Sequence, residues 1–313
     1  MTGSQPRGLI TALITPLGSK EELDVESLAK LLNTVTEPSD ALLLAGNHAG
    51  EGALLPRETR ETLIRETMRI VAGRTTLLIG ITADTVEETF GNAKCVEGLR
   101  DELNYKGTIF LFDCPLWYRS NRGLPAHCEE LMTVTSLPLI LSNDPALISN
   151  LKTPLKRYNI RTGVLKKLLS NNRIAGLAHS GDLHRFLNYV QAARSRQDFH
   201  FYDGSELNFL DNPSTDGVVS IGANVLPEEW KEVVGSSLDT DDSRKEDADY
   251  RRRLWDLREK LRKLHAGCKD NPPALVKTAL KYKGITASDS VTDKSPRATE
   301  EEKKRIYDML RSR

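Results

Sequence analysis

Apolar residues along this chain fall into short, nearly unbroken runs: "GLITALITPL" (8–17), "ALLLAGN" (41–47), "TTLLIGIT" (75–82), "GTIFLFDCP" (107–115), "LPLILSND" (137–144), "IAGLAHS" (174–180), "DFHFYDGS" (198–205) and "GVVSIGAN" (217–224). A strand without alternation is buried on both faces, which is the mark of a parallel sheet. Helical patterns lie between the runs. One is "PRETRETLIRETMRIVAG" (56–73), with proline at its start and glycine at its end. Eight such strand–helix units predict an α/β fold, a (β/α)8 TIM barrel over residues 1–227. A doubly wound open sheet is the alternative; it has fewer strands, and no Gly-x-Gly-x-x-Gly turn follows the first one here. After Asn224 the strand signals stop. Residues 227–266, 272–284 and 298–312 read as helices, with Pro227, Pro272 and Pro273 near their starts, so residues 228–313 form a C-terminal helical domain.

Composition narrows the picture. The 313 residues carry 44 basic and 44 acidic side chains, and this balance gives no sign of a nucleic-acid or membrane-surface partner. The charged stretch "DDSRKEDADYRRRLWDLREKLRK" reads as exposed helix. Cys95, Cys114, Cys128 and Cys268 form no Cys-x-x-Cys pair and no disulfide framework. No apolar run reaches membrane-span length, and the first residues lack a signal-peptide pattern. The expectation is a soluble, cytoplasmic protein.

In a barrel of this kind the active site lies at the C-terminal ends of the strands. That rule alone selects Pro16, Asn47, His48, Asp113, Cys114, Asn143, Asp144, Ala178, His179, Gly204, Ser205, Ala223 and Asn224.

Several of these segments resemble the family of dihydrodipicolinate synthase and N-acetylneuraminate lyase. "ALITPL" resembles its first-strand motif, and "AGEGALLPRETRETL" its Gly-Glu-x-x-x-Leu-x-x-x-Glu-Arg segment. "SNDPAL" resembles the Tyr-Asn-x-Pro turn after strand five, and "GLAHSGDLHRF" the Gly-Leu-Lys-(Asp/Glu)-Ser-Ser-Gly-Asp segment of strand six. "FYDGSE", "GVVSIGANVLPEEW" and "ALVKTALKYKGI" extend the likeness over essentially the whole chain. The resemblance implies a barrel with a C-terminal helical domain, a homodimer or a homotetramer of tight dimers, no cofactor, and aldol cleavage or condensation of pyruvate or another 2-oxo acid.

It also implies a strand-six lysine that attacks the keto carbonyl to form a Schiff base, a step only an amine can perform. Counted from Gly176, that position holds Ala178. None of the nineteen lysines falls at the C-terminal end of a predicted strand. The tyrosine position before Asn-x-Pro holds Ser142, a poor substitute for a phenol in proton transfer. The Gly-Thr-Thr-Gly-Glu loop becomes "GNHAGE", so the threonines fall on His48 and Ala49, or on Asn47 and His48. Leu147 stands where the synthases place an arginine for the second carboxylate. Arg161, in "YNIRTG", reads instead as the start of the next helix, with Thr162 near its N-cap. The aromatic that the family donates across its dimer contact corresponds to Trp117 or Tyr118. A single lysine-to-alanine change would be consistent with engineering; the joint loss of lysine, tyrosine and threonines fits natural divergence.

What remains at the predicted mouth is His48 and His179, expected to face one another near Glu51, Asp113, Asp144 and Asp182. Such a set suits acid–base work or a metal, but no His-x-His or Glu-x-x-His spacing supports a metal, and none is expected. The plain alternatives stand beside these readings: His48 as an ordinary loop residue, His179 in a structural hydrogen bond, Cys114 as a small buried residue. Glu51 is expected to hold loop amides. Asn47, Ala49, Gly50, Asn143, Gly204, Ser205 and Asn224 are expected to line the ligand site with Trp117 and Tyr118. Three functions stay open. One is a non-catalytic binder of a small oxo acid, favoured by a mouth plugged by Trp117 or the 146–160 segment. Another is a lyase or hydratase working through His48 and His179, favoured by an open polar mouth. The third is an ordinary pyruvate aldolase whose lysine lies elsewhere.

Overall fold

A computed structural model describes residues 4–152, 157–213, 215–239 and 243–311. Eight parallel strands close into one barrel in chain order: β1 Gly8–Ala12, β2 Ala41–Leu44, β3 Thr76–Gly80, β4 Ile109–Asp113, β5 Leu139–Asn143, β6 Ile174–His179, β7 His200–Asp203 and β8 Gly217–Ser220. Each lies inside a predicted run, and β8 returns to pair with β1, Gly217 opposite Gly8.

The unbroken apolar character of the strands follows from their two buried faces. Ile10, Ala12, Leu43, Leu78, Phe110, Ile140, Ala178 and Tyr202 form the inner core of the barrel. Leu9, Leu42, Leu44, Leu77, Ile79, Leu111, Leu141 and Leu177 belong to the larger outer core, beneath the helices. Strand β6 breaks its alternation: Leu139 pairs with Ile174 but Ile140 pairs with Gly176. This bulge re-aims the end of the strand and lets both Ala175 and Ala178 reach the inner core. Gly176 is required beside it, because a Cβ there would lie 2.7 Å from the carbonyl oxygen of His200.

The helices between the strands are α1 Val25–Val35, α2 Arg57–Val71, α3 Val86–Glu102, α4 Leu124–Val134, α5 Pro145–Ser149, α6 Thr162–Leu168, α7 Leu183–Ala193 and α8 Glu206–Asp211. Then follow α9 Pro227–Leu238, α10 Ala248–Cys268, α11 Pro272–Tyr282 and α12 Glu300–Arg311. The single helix expected over 227–266 is therefore two. Helix α9 packs on β1 and β8 as a barrel helix does, whereas α10, α11 and α12 pack on one another. No helix among the described residues is long and apolar enough to cross a membrane.

Two buried clusters tie these last helices to the barrel. Glu51 accepts hydrogen bonds from the Lys277 ammonium of α11, from the Thr292 amide at 2.8 Å and from the Thr292 hydroxyl at 3.0 Å. Both ends of the ion pair are 1% exposed, so water contributes nothing to either charge. Burial draws the Lys277 pKa down, against the charge and hydrogen bond of Glu51. Glu206 of α8 accepts from the Ser220 hydroxyl and the Gly222 amide, each at 2.7 Å, and pairs with His265 of α10 at 2.7 Å.

Breaking a buried pair on one side leaves an uncompensated charge. Lys277→Met is expected to lower the unfolding free energy by roughly 3–5 kcal/mol in urea titrations. Adding Glu51→Leu to that variant is expected to recover part of the loss, because the stranded carboxylate goes with it.

Candidate functional site

A recess opens at the C-terminal end of the barrel, with about 630 Å³ of empty space including its opening. Ala12, Phe112, Ala178 and Val219, at or near the ends of β1, β4, β6 and β8, line it with Leu43, Leu147 and Ile221. Ser142 sits beside Ala178 in the β5–β6 register. The polar lining comes from Asn47, His48, Thr82, Asp144 and Ser180. Among the described residues no lysine or arginine lines the recess.

The loop after β2 forms one wall, and its shape is forced by close backbone contacts. Ala45 adopts a left-handed φ of 49° and Glu51 one of 54°. A Cβ on Gly80 would fall 2.2 Å, and one on Gly52 1.9 Å, from the Ala45 carbonyl oxygen, so neither position tolerates a side chain. Gly50 is fixed by the Thr15 hydroxyl, which donates to its carbonyl at 2.9 Å. Within this turn the backbone N–H groups of Asn47, His48, Ala49 and Gly50 donate to no acceptor among the described residues. Such a run of free amides is an anion-binding feature.

His48 stands at the rim. Its Nε2 lies 2.7 Å from Oδ2 of Asp144; the imidazole is 47% exposed and the carboxylate 6%. Asp144 also caps α5, accepting from the Leu147 amide at 2.8 Å. Burial works against charge on the ring, but the Asp144 hydrogen bond and charge outweigh it and raise the His48 pKa. For Asp144, burial pushes the pKa up, and the His48 contacts with the Leu147 and Ser180 hydrogen bonds more than reverse it.

His179 does not face His48 across the mouth. Neighbouring strand residues point to opposite faces, so with Ala178 turned inward His179 turns outward. Its Nδ1 accepts from Asn143 at 3.0 Å, its Nε2 meets the Asp182 carbonyl at 3.2 Å, and its ring packs edge-to-face on Tyr189 of α7 at 5.3 Å. Burial lowers its pKa.

Other expected lining residues also serve the scaffold. Asn143 accepts from the Ile160 amide at 2.7 Å and donates to Asn159 at 2.9 Å. Asn224 joins β1 to the turn after β8, accepting from the Ile14 amide at 3.2 Å and donating to the Ala12 carbonyl at 2.7 Å. Ser205 caps α8 through the Asn208 amide at 3.4 Å. Glu51 holds α11 rather than its own loop's amides. Ala49, Gly50 and Gly204 do line the recess.

The aromatic pair lies outside the recess lining. Trp117 donates its indole N–H to Asp84 at 2.9 Å. The Tyr118 hydroxyl donates to Asp113 at 2.6 Å and lies 2.8 Å from Nε2 of His127. Asp113 also accepts from Thr82 at 2.7 Å, yet burial pushes its carboxyl up to about 6. Cys114 lines the recess with its thiol pKa raised far above the usual value, first by burial and then by Asp113 and Asp144, so it is no nucleophile at neutral pH. Arg161 lies at the start of α6, with Thr162 the first helical residue, and neither lines the recess. Part of the 146–160 segment, residues 153–156, falls outside the described residues; Leu147 from it forms one wall. Among the described residues no group of three or more His, Cys, Asp or Glu side chains is arranged to hold a metal ion.

Sequence reasoning passed over Phe112, Val219 and Ile221 as walls. Strand parity was the available signal for the first, since Phe112 lies two residues beyond the inward Phe110.

Residues 5–312 match the sequence profile of the Dihydrodipicolinate synthetase family. The chain belongs to this family. The 4-hydroxy-tetrahydrodipicolinate synthase of Streptococcus uberis is 27% identical over 290 residues, 91% of this chain and 86% of that protein. The dihydrodipicolinate synthase structure from Bacteroides thetaiotaomicron superposes with a TM-score of 0.81 at 23% identity, covering 98% of this chain and 99% of that one. A prophage protein of the same family from E. coli K12, solved in complex with pyruvate, gives 0.79 at 20% identity over 97% of each chain. At these identities the structural likeness shows the fold. The family chemistry is of the aldolase type.

Because the folded pKa of His48 is raised, the pair's contribution through His48 is full below the unfolded value of about 6.5 and is lost as pH rises through the folded pKa. Asp144→Asn keeps an N-cap side chain but removes the charge. It is expected to lower the His48 pKa from its raised value, since the charge and charged hydrogen bond that raise it are gone; an NMR titration of the His48 ring protons reads this directly.

Proposed function

We propose that this family member binds a small oxo acid at the barrel mouth without forming a Schiff base, and so without aldolase turnover. The observation that carries this reading is the composition of the recess: Ala178, at the position the resemblance gives to the amine, lines it, and no lysine among the described residues does. The buried Lys277 is held by Glu51 and Ser290, which argues against a relocated nucleophile. The free amides of residues 47–50, beside His48, suit a carboxylate.

The mouth is neither plugged by Trp117 nor strongly polar. The His48–Asp144 pair favours a second reading, a lysine-independent lyase or hydratase in which His48 is the base and Asp144 orients it. His179 drops out of that mechanism because it faces α7. His48-dependent deuterium exchange at C3 of pyruvate, lost in His48→Gln, would establish this second reading over the first.

The decisive test is borohydride reduction with pyruvate, followed by intact-mass measurement. The native chain is expected to gain no adduct. Ala178→Lys is expected to trap pyruvate yet turn over negligibly, since relay members work only together and Ser142, His48 and Ala49 do not rebuild the relay. A single pyruvyl adduct on one native lysine would restore the ordinary aldolase.

We further propose a homodimer or homotetramer, as is usual in the family, in a reducing cytoplasmic setting that fits the four free cysteines. Light scattering is expected to give a mass of at least two chains; a monomer at micromolar concentration would remove this reading. Tyr118, bound to Asp113 and His127 of its own barrel, is not positioned to act as the aromatic donated across such a contact.

A further inference from the structure

The polarity of the recess points to a narrower ligand class. Its apolar lining is Ala12, Phe112, Ala178 and Val219, flanked by Leu147 and Ile221. Ala12 and Ala178 belong to the inner core of the barrel, and Phe112, Val219 and Ile221 pack against that core. The donors are elsewhere: the free amides of 47–50 and the half-exposed His48 imidazole belong to the loop after β2. A molecule filling this space has a charged head at that loop and an apolar tail among the strand ends.

Two further features restrict it. Among the described residues the only carboxylate in the lining is Asp144, and no lysine or arginine is there to offset a second ligand charge. Leu147, at the position where the family's arginine is expected, offers no hydrogen bond to one. A dicarboxylate therefore meets an apolar wall or like charge. A keto oxygen placed beside Ala178 has no amine to react with; of the lining hydroxyls, that of Ser142 lies beside it, while those of Thr82 and Ser180 are bonded to Asp113 and Asp144. Removing the keto group thus forfeits no covalent step and relieves the desolvation of a buried carbonyl.

We infer that the recess takes a short aliphatic monocarboxylate, recognised by its single charge and its apolar tail and not by a keto group. This rests on the carboxylate-binding reading above and goes beyond it by making the oxo function dispensable. Pyruvate is then one weak member of a series whose affinity is set by tail length. Each further methylene buried is worth about fourfold in affinity, by the usual transfer free energy of that group.

The test is calorimetric titration of the full chain with acetate, propionate, butyrate and pentanoate, with 2-oxobutyrate and succinate matched to butyrate in carbon number. The expected result is a tightening of about fourfold per carbon, with 2-oxobutyrate within about threefold of butyrate and succinate at least about tenfold weaker than butyrate. The near-isosteric Val219→Thr is expected to weaken pentanoate several-fold and leave acetate unchanged. Binding of 2-oxobutyrate ten or more times tighter than butyrate, or affinity flat along the series, would overturn the inference while leaving the oxo-acid binder intact. A series in which nothing binds, 2-oxobutyrate included, would remove both.

Discussion

The buried ion pair between Glu51 and Lys277 fixes the geometry on which the site depends. A non-glycine residue in the left-handed region is disfavoured unless its surroundings over-determine it. Glu51 has that conformation and is gripped from three directions, by Lys277, the Thr292 amide and the Thr292 hydroxyl. Its backbone N–H returns to the His48 carbonyl at 3.2 Å, and its own carbonyl receives Leu54 and Leu55. The turn that carries His48 and the free amides is therefore held from below by the C-terminal helices. This explains what a helical extension does for a barrel whose own strands are already closed: it supplies the cation that keeps one loop in shape.

The second constraint is the bulge in β6. By changing which residues face inward, it sends Ala178 into the cavity and His179 into the helix layer. The chemistry available at the mouth follows from that one shift. Two histidines that look like a pair along the chain are separated by the strand itself. His48, on the loop after β2, instead finds Asp144, the residue after β5. The remaining polar groups at strand ends, Asn143 and Asn224, are consumed by backbone contacts that close the barrel's upper rim.

The fold was legible because burial on both faces of a parallel strand leaves a local trace. Runs such as 75–82 and 137–144 need no knowledge of their partners to be read as strands, and Gly and Pro mark the helix ends between them. The break between α9 and α10 had a local trace that the periodicity reading passed over: Asp239, Thr240, Asp241, Asp242 and Ser243 are weak helix formers that favour caps and turns. Among the site residues, Ala178, Ser142, His48, Ala49 and Gly50 were found by position and do line the recess. Asn143, Ser205 and Asn224, found by the strand-end rule, and Glu51, found by the resemblance, are committed to the scaffold by tertiary contacts.

The sequence by itself determined the barrel, the order of its strands and the alanine at residue 178, because hydrophobic period and residue identity are local properties. Only the tertiary structure decided which way His179 points, which carboxylate His48 meets, and that Lys277 is a buried anchor and not a nucleophile. Those outcomes depend on strand register and on contacts between Glu51 and residues more than two hundred positions away, and neither leaves a trace in the residues nearby.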